Sequence, residues 1–238
     1  MKHSEYEKEK GFEKDLLPQL VVQLHDVGIN LSDCQQNQFR IYYHEILKWN
    51  EKVNLISKKD ESKIIERHFL ESSAIALFDV FRKGLFVLDL GSGGGFPGVP
   101  LKIVRPDLSI TLLDSKRMKI LFLRSLVEKL NLKDVDFICE RAEEAGLKHK
   151  LRKNFDIVTS RAVAALPRLY QWAQPFLKTH GLLIAIKGSN VAKEIQELKL
   201  QFPEVPYEIR SLPLQTLSRT NKARIVFVYP VGPLHVSR

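Results

Sequence analysis

Two rhythms of hydrophobic and polar positions divide the chain. Up to about residue 83 the apolar residues recur only at helical spacing. Phe39, Tyr42, Tyr43, Ile46 and Leu47 fall at i, i+3, i+4, i+7 and i+8, one buried helical face, and Ser32 with Gln35 three residues on forms a capping box at its start. A second helix is expected from about Asp60 to Phe81, carrying Ile64, Ile65, His68, Ser72 and Ile75 on one side. After Lys83-Gly84 short apolar runs take over. They are Leu85–Leu90, Ile110–Leu113, Val135–Ile138, Phe155–Thr159 and Leu182–Ile186, with helical patterns plausible between them and a basic amphipathic helix over Lys116–Leu130. Tyr207–Arg210 and Arg224–Tyr229 suit a terminal hairpin. Strands alternating with helices predict an α/β fold, a doubly wound and mostly parallel sheet covered on both faces. The expected division is a helical extension, residues 1–83, and a Rossmann-like domain, residues 84–238.

Composition narrows the class. The chain has 238 residues, 44% hydrophobic and 27% charged, enough for a sizeable core and unlike a disordered chain. No apolar run approaches the length of a membrane span, and the charged start, Met1 to Lys10, is no signal peptide. Cys34 and Cys139 stand far apart, which excludes a disulfide scaffold and a cysteine-rich zinc site; a reduced, cytoplasmic protein is expected. Without heptads for a coiled coil, a monomer is expected. The net charge of +9, spread along the chain, favours a polyanionic partner, nucleic acid before membrane.

The chemistry begins at Asp89-Leu90-Gly91-Ser92-Gly93-Gly94-Gly95-Phe96-Pro97-Gly98, directly after the first strand. Crowded glycines let a backbone turn sharply and approach a ligand closely. Gly91, Gly93 and Gly95 give G-x-G-x-G; Gly93, Gly95 and Gly98 give the dinucleotide register G-x-G-x-x-G. Asp114, ending the second strand, suits the ribose of either cofactor class. Pro97 and Pro100 remove N–H donors that a pyrophosphate needs at a helix start, and Phe96 adds bulk there. S-adenosylmethionine carries no phosphate, and its sulfonium gains from Asp89. The first register is therefore favoured, with a dinucleotide-dependent oxidoreductase and a non-catalytic RNA-binding assembly factor as the alternatives.

Several segments together resemble a known family. Trp49-Asn50-Glu51-Lys52-Val53-Asn54-Leu55, Glu66-Arg67-His68-Phe69-Leu70-Glu71-Ser72 and the glycine loop with its Gly95-Phe96-Pro97-Gly98-Val99-Pro100-Leu101 extension come first. Thr111–Ser115, Arg141–Glu144, Ser160-Arg161-Ala162 and Ala185–Gly188 follow. Together they resemble the bacterial ribosomal RNA small-subunit methyltransferase G family, also called glucose-inhibited division protein B, from about Trp49 to Gly188. The resemblance implies a class I S-adenosylmethionine-dependent methyltransferase fold with seven strands. It implies methylation of N7 of one guanine in the 530 loop of 16S ribosomal RNA, on the RNA or the small subunit. Beside Gly93 and Gly95, which the glycine register itself offers to the cofactor, it carries cofactor contacts onto Gly91, Phe96, Ala142, Glu143 and Arg161, with Asp114 on the ribose, and positioning roles onto Arg161, His68 and Asn54. No metal is implied.

Local residues agree with that chemistry. Guanine N7 already holds its lone pair, so no catalytic base is required. Thr159-Ser160-Arg161-Ala162 is not the Asn/Asp-Pro-Pro-aromatic motif of amino-group methyltransferases, and neither cysteine lies near it. Arg161 suits guanine O6 or a phosphate, or else a structural carboxylate; His68 suits the site, or else an ordinary core position. Basic groups offered to RNA are Lys116, Arg117, Lys119 and Arg124; Lys148, Lys150, Arg152 and Lys153; and Arg219, Lys222 and Arg224.

Overall fold

The structure, a computed structural model, describes residues 17–212 and 223–230. Helices α1 (Leu17–Asp26) and α2 (Asp33–Asn50) come first, and α2 opens with the expected capping box: Ser32 accepts from the Gln35 N–H while the Gln35 side chain accepts from Ser32. The expected continuous helix from Asp60 to Phe81 does not form. Its place is taken by a 3-10 turn (Lys58–Lys63), a π-helical stretch (Ile64–Leu70), a single α turn α3 (Glu71–Ala74) and another 3-10 turn (Ile75–Leu77). Burial explains the change. Five of the seven π-helical residues are buried, and the wider i→i+5 turn gathers Ile64, Ile65, His68, Phe69 and Leu70 on one face while Glu66 and Arg67 stay exposed.

Seven strands follow: β1 (Phe86–Leu90), β2 (Ser109–Leu113), β3 (Val135–Ile138), β4 (Phe155–Arg161), β5 (Leu177–Lys187), β6 (Tyr207–Ser211) and β7 (Arg224–Val228). They form one sheet in the order β3-β2-β1-β4-β5-β7-β6. The first five pair in parallel, and β7 inserts antiparallel between β5 and β6. The crossovers carry α4 (Gly98–Val104), α5 (Arg117–Lys129), the short α6 (Ala142–Ala145), α7 (Leu166–Ala173) and α8 (Val191–Gln201).

Alternation along the strands builds two apolar layers. Val87, Ile110, Leu112, Ile157, Leu182, Ile184, Ile186, Ile225 and Phe227 face α1, α2, α4 and α5. Leu88, Leu90, Val158, Leu183, Ala185, Val226 and Val228 face α7 and α8. This is why the central strands read as unbroken apolar runs. The helices before β1 thus supply part of the cover of one sheet face. No helix among the described residues is long and apolar enough to cross a membrane.

Candidate active site

In the order β2-β1-β4 the chain reverses direction of winding between β1 and β4, leaving a crevice beyond their carboxyl ends. A cavity of about 430 Å³ opens there, lined from the ends of β1, β2, β3 and β4. That volume lies within the usual range for small-molecule sites.

The glycine loop forms its floor. The N–H groups of Gly91 and Ser92 both donate to the Leu113 carbonyl, at 2.8 and 2.9 Å, tying the loop to β2. Gly91, Gly93 and Gly95 all hold positive φ, at 77°, 57° and 98°. The three differ in what approaches them. A Cβ on Gly93 would find no heavy atom nearer than 3.8 Å and would enter the cavity, whereas one on Gly95 would lie 2.4 Å from Tyr42 Oη. Tyr42, from α2, donates to the Gly94 carbonyl at 2.6 Å. Gly91 and Gly93 line the cavity and Gly95 does not: its missing side chain makes room for Tyr42.

Asp114 is 7% exposed; its Oδ2 accepts from Gly93 N and its Oδ1 from Lys116 N, each at 2.9 Å. It fixes the loop and still lines the cavity with lone pairs to spare. Asp89, expected to face a sulfonium, lies beneath the loop, fully buried and outside the lining. Its Oδ2 accepts from Gly98 N at 3.0 Å, and burial pushes its carboxyl up to about 7, against the opposing pull of that bond. The first N–H of α4 therefore already serves a carboxylate, so the last glycine of the dinucleotide register has no free donor for a pyrophosphate.

The opposite wall holds Phe96, His68 and Arg161. The His68 ring packs against Phe96 at 4.7 Å, and Phe96 stacks on Tyr42 at 5.6 Å. His68 is buried with no partner on either ring nitrogen; burial, reinforced by the Arg161 charge, lowers its pKa to about 3. It is neutral at pH 7. Arg161 ends β4 and pairs through Nη2 with Glu71 Oε2 at 2.8 Å, the two side chains 9% and 6% exposed. Burial lowers its pKa, with Glu71 opposing, but a guanidinium stays charged. Ala162, next in the chain, holds φ at 53°, a strained position for a residue with a side chain.

Of the residues singled out from sequence, Gly91, Gly93, Phe96, Asp114, Ala142, Glu143, Arg161 and His68 meet in this cavity. Asn54 does not; it is exposed, while its neighbours Leu55 and Ile56 line the wall. Their backbone is held by buried Asn50, whose Oδ1 accepts from Leu55 N at 2.8 Å and Ile56 N at 3.1 Å. Sequence reasoning missed Asn50, Glu71 and Lys187. Lys187 donates to the Ala164 carbonyl at 2.5 Å and pairs with Glu194 at 2.7 Å, while Glu194 accepts from Leu166 N at 2.8 Å. Together they fasten the turn that carries Val163 over Gly91. Their signal was present, since Asn50, Glu71 and Lys187 sit inside the quoted family segments. Of the basic groups offered to RNA, Lys116 and Lys119 line the cavity, as does Arg141; Lys148 pairs with Glu140, Arg224 opens β7, and Arg219 and Lys222 lie outside the described residues.

The fold is that of class I methyltransferases. It superposes on a putative S-adenosyl-L-methionine-dependent methyltransferase from Methanococcus maripaludis with a TM-score of 0.56 and 15% identity, covering 75% of this chain and 93% of that one. The plantazolicin methyltransferase BpumL gives 0.54 and 13% identity, covering 83% and 99%. Sequence narrows this further. The pattern of the GidB family, rRNA small subunit methyltransferase G, matches residues 35–212. The ribosomal RNA small subunit methyltransferase G of Oceanobacillus iheyensis is 42% identical over 178 residues, 75% of each chain. That of Staphylococcus saprophyticus is 43% identical over 180 residues, covering 76% of this chain and 75% of its own. The chain belongs to the GidB family.

Proposed function

We propose that this protein transfers a methyl group from S-adenosylmethionine to N7 of a guanine in small-subunit ribosomal RNA, in the 530 loop of the 16S molecule. Family membership supports the substrate class, and one feature of the cavity supports the atom. Among the described residues the one imidazole lining it, His68, is buried and held neutral with a pKa of about 3, too weak a base to deprotonate an amine or hydroxyl at neutral pH. Guanine N7 requires no such base; catalysis then rests on positioning.

The residues fit the cofactor by the room left over Gly93, which a side chain there would fill. Gly91 and Gly93 would hold it by close backbone approach, Asp114 by accepting from ribose hydroxyls, and Ala142 and Glu143 at the adenine. When bound, the cofactor supplies an electrophilic methyl on sulfonium. Arg161, two strands across from Asp114 or about 10 Å away, and His68, delivered by the π-helical stretch, hold the acceptor base. Phe96 and His68 form the inner wall, with Tyr42 stacked behind Phe96. Lys116, Arg117 and Lys119, at and beside the mouth, meet RNA phosphates.

The experiment is transfer of labelled methyl from S-adenosylmethionine to small subunits and to naked 16S RNA from cells lacking this gene. The modified nucleotide is then mapped by mass spectrometry. One N7-methylated guanine in the 530 loop is expected. Label at another base, or none with folded protein that binds S-adenosylhomocysteine, overturns the proposal.

A further inference from the structure

Arg161 is anchored from outside the sheet. Its Nη2 meets Glu71 Oε2 at 2.8 Å, whereas its Nη1 is buried without a partner. Glu71 is the first residue of α3, directly after the π-helical stretch that brings His68 into the cavity three positions earlier. One short irregular segment therefore delivers both the orphan imidazole and the carboxylate that holds the guanidinium.

This arrangement bears on how a guanine is held. A free arginine takes the O6 and N7 acceptors of guanine together, with both arms of its fork. Such a grip would cap the N7 lone pair that must attack the methyl group. A carboxylate on Nη2 occupies one arm and leaves Nη1 as the free donor. A single bond to O6 then orients the base while N7 stays open. The carboxylate also removes rotamer freedom from a long side chain that would otherwise lose it on substrate binding.

We infer that Glu71 is a positioning residue for methyl transfer, holding Arg161 so that one guanidinium arm contacts the acceptor guanine and N7 is left uncapped. This rests on the reading that Arg161 contacts the base. Single-turnover transfer at saturating cofactor and RNA tests it, with S-adenosylhomocysteine affinity and melting temperature measured alongside. Glu71→Ala should slow transfer on the order of a hundredfold, the scale of a small misplacement of reacting groups, with cofactor affinity unchanged. In an Arg161→Ala background it should add no further loss. Glu71→Gln keeps an acceptor at the same reach and should retain more activity than Glu71→Asp, which keeps the charge but draws it back.

Further slowing by Glu71→Ala in the Arg161→Ala background overturns the inference. So does Glu71→Asp matching or exceeding Glu71→Gln, a comparison that stands even where Glu71→Ala does not fold. If Arg161→Ala is slow while every Glu71 variant transfers at the wild-type rate, this inference alone fails. If Arg161→Ala itself transfers normally, the base-contact reading beneath it fails.

Discussion

Gly93 and Gly95 carry the same letter and the same left-handed backbone, yet substitution should separate them. Valine at position 93 costs about 1–2 kcal/mol of backbone strain, but its side chain points into open cavity. The folded protein should survive with S-adenosylhomocysteine binding abolished. Gly95→Ala drives a Cβ to 2.4 Å from Tyr42 Oη and 2.9 Å from Val99, so melting should fail first. Calorimetric titration beside thermal melts checks the pair; normal binding by folded Gly93→Val would remove this loop from the cofactor site. His68 gives a second test. Its pKa is about 3 when folded and about 6.5 when unfolded, so below pH 6.5 the unfolded chain takes up a proton that the folded one refuses. The stability of the neutral ring is present above pH 6.5 and lost as pH falls toward 3. Asp89 works oppositely, its folded value of about 7 lowering stability as pH rises from about 4 to 7. The difference between wild type and His68→Leu isolates the ring. The variant should lose less stability between pH 6.5 and 4, by on the order of 3 kcal/mol in urea unfolding. Parallel pH curves would mean the ring is protonated in place. The glycine spacing made the loop legible in the sequence. It could not say which glycine faces a ligand, because Tyr42, bonded to the Gly94 carbonyl 52 positions on, fills the room beside Gly95.

At the scale of elements, strands and caps were the most legible. Val135–Ile138 and the Ser32 capping box stand as read, because both are local matters of alternation and of one hydroxyl beside a free N–H. The stretch from Lys58 to Leu77 was not. Its apolar spacing fits an α-helix, and what breaks it is tertiary: burial of five of the seven residues Ile64–Leu70, and Glu71 drawn to an arginine on β4. Helix α5 raises a different question. Its outward side shows Arg117, half-exposed Met118, Leu121 and Arg124, and among the described residues Arg117 is in no ion pair, unlike Lys129, which holds Glu45 at 2.6 Å. An unpaired cation beside the cavity mouth is the kind of group that trades counterions for phosphate. Arg117→Glu should weaken binding to 16S RNA and reduce the steepness of log affinity against log salt by about 1, leaving S-adenosylhomocysteine affinity unchanged. An unaltered salt slope would take α5 out of the RNA interface.

The whole molecule turns on whether the helices before β1 are an addition to the sheet or part of it. The change of rhythm near Lys83-Gly84 separates two sequence patterns, and it is tempting to read two folding units there. Packing argues otherwise. Leu20, Leu24, Phe39, Tyr42 and Ile46 share one apolar cluster with Leu101, Phe122 and Leu123 and with Val87, Ile110 and Ile184 from the sheet. Periodicity tells which face of each helix is apolar but not which other apolar face it meets, so this shared core was beyond the sequence. Removing residues 1–57 would bare that layer and cut the Tyr42 bond that steadies the glycine loop. Five such side chains, each worth about 1.5–3 kcal/mol when fully buried, together contribute about 7.5–15 kcal/mol, the same size as the 5–15 kcal/mol net stability typical of a domain. The fragment 58–238 should therefore aggregate or unfold without a cooperative transition, and should not bind S-adenosylhomocysteine. Size-exclusion chromatography, a calorimetric melt and ligand titration on the purified fragment check this. A monomeric fragment that melts in one sharp step and binds the ligand would instead make the helices a separable extension. The full-length protein would then melt in two steps, whereas the shared core predicts one.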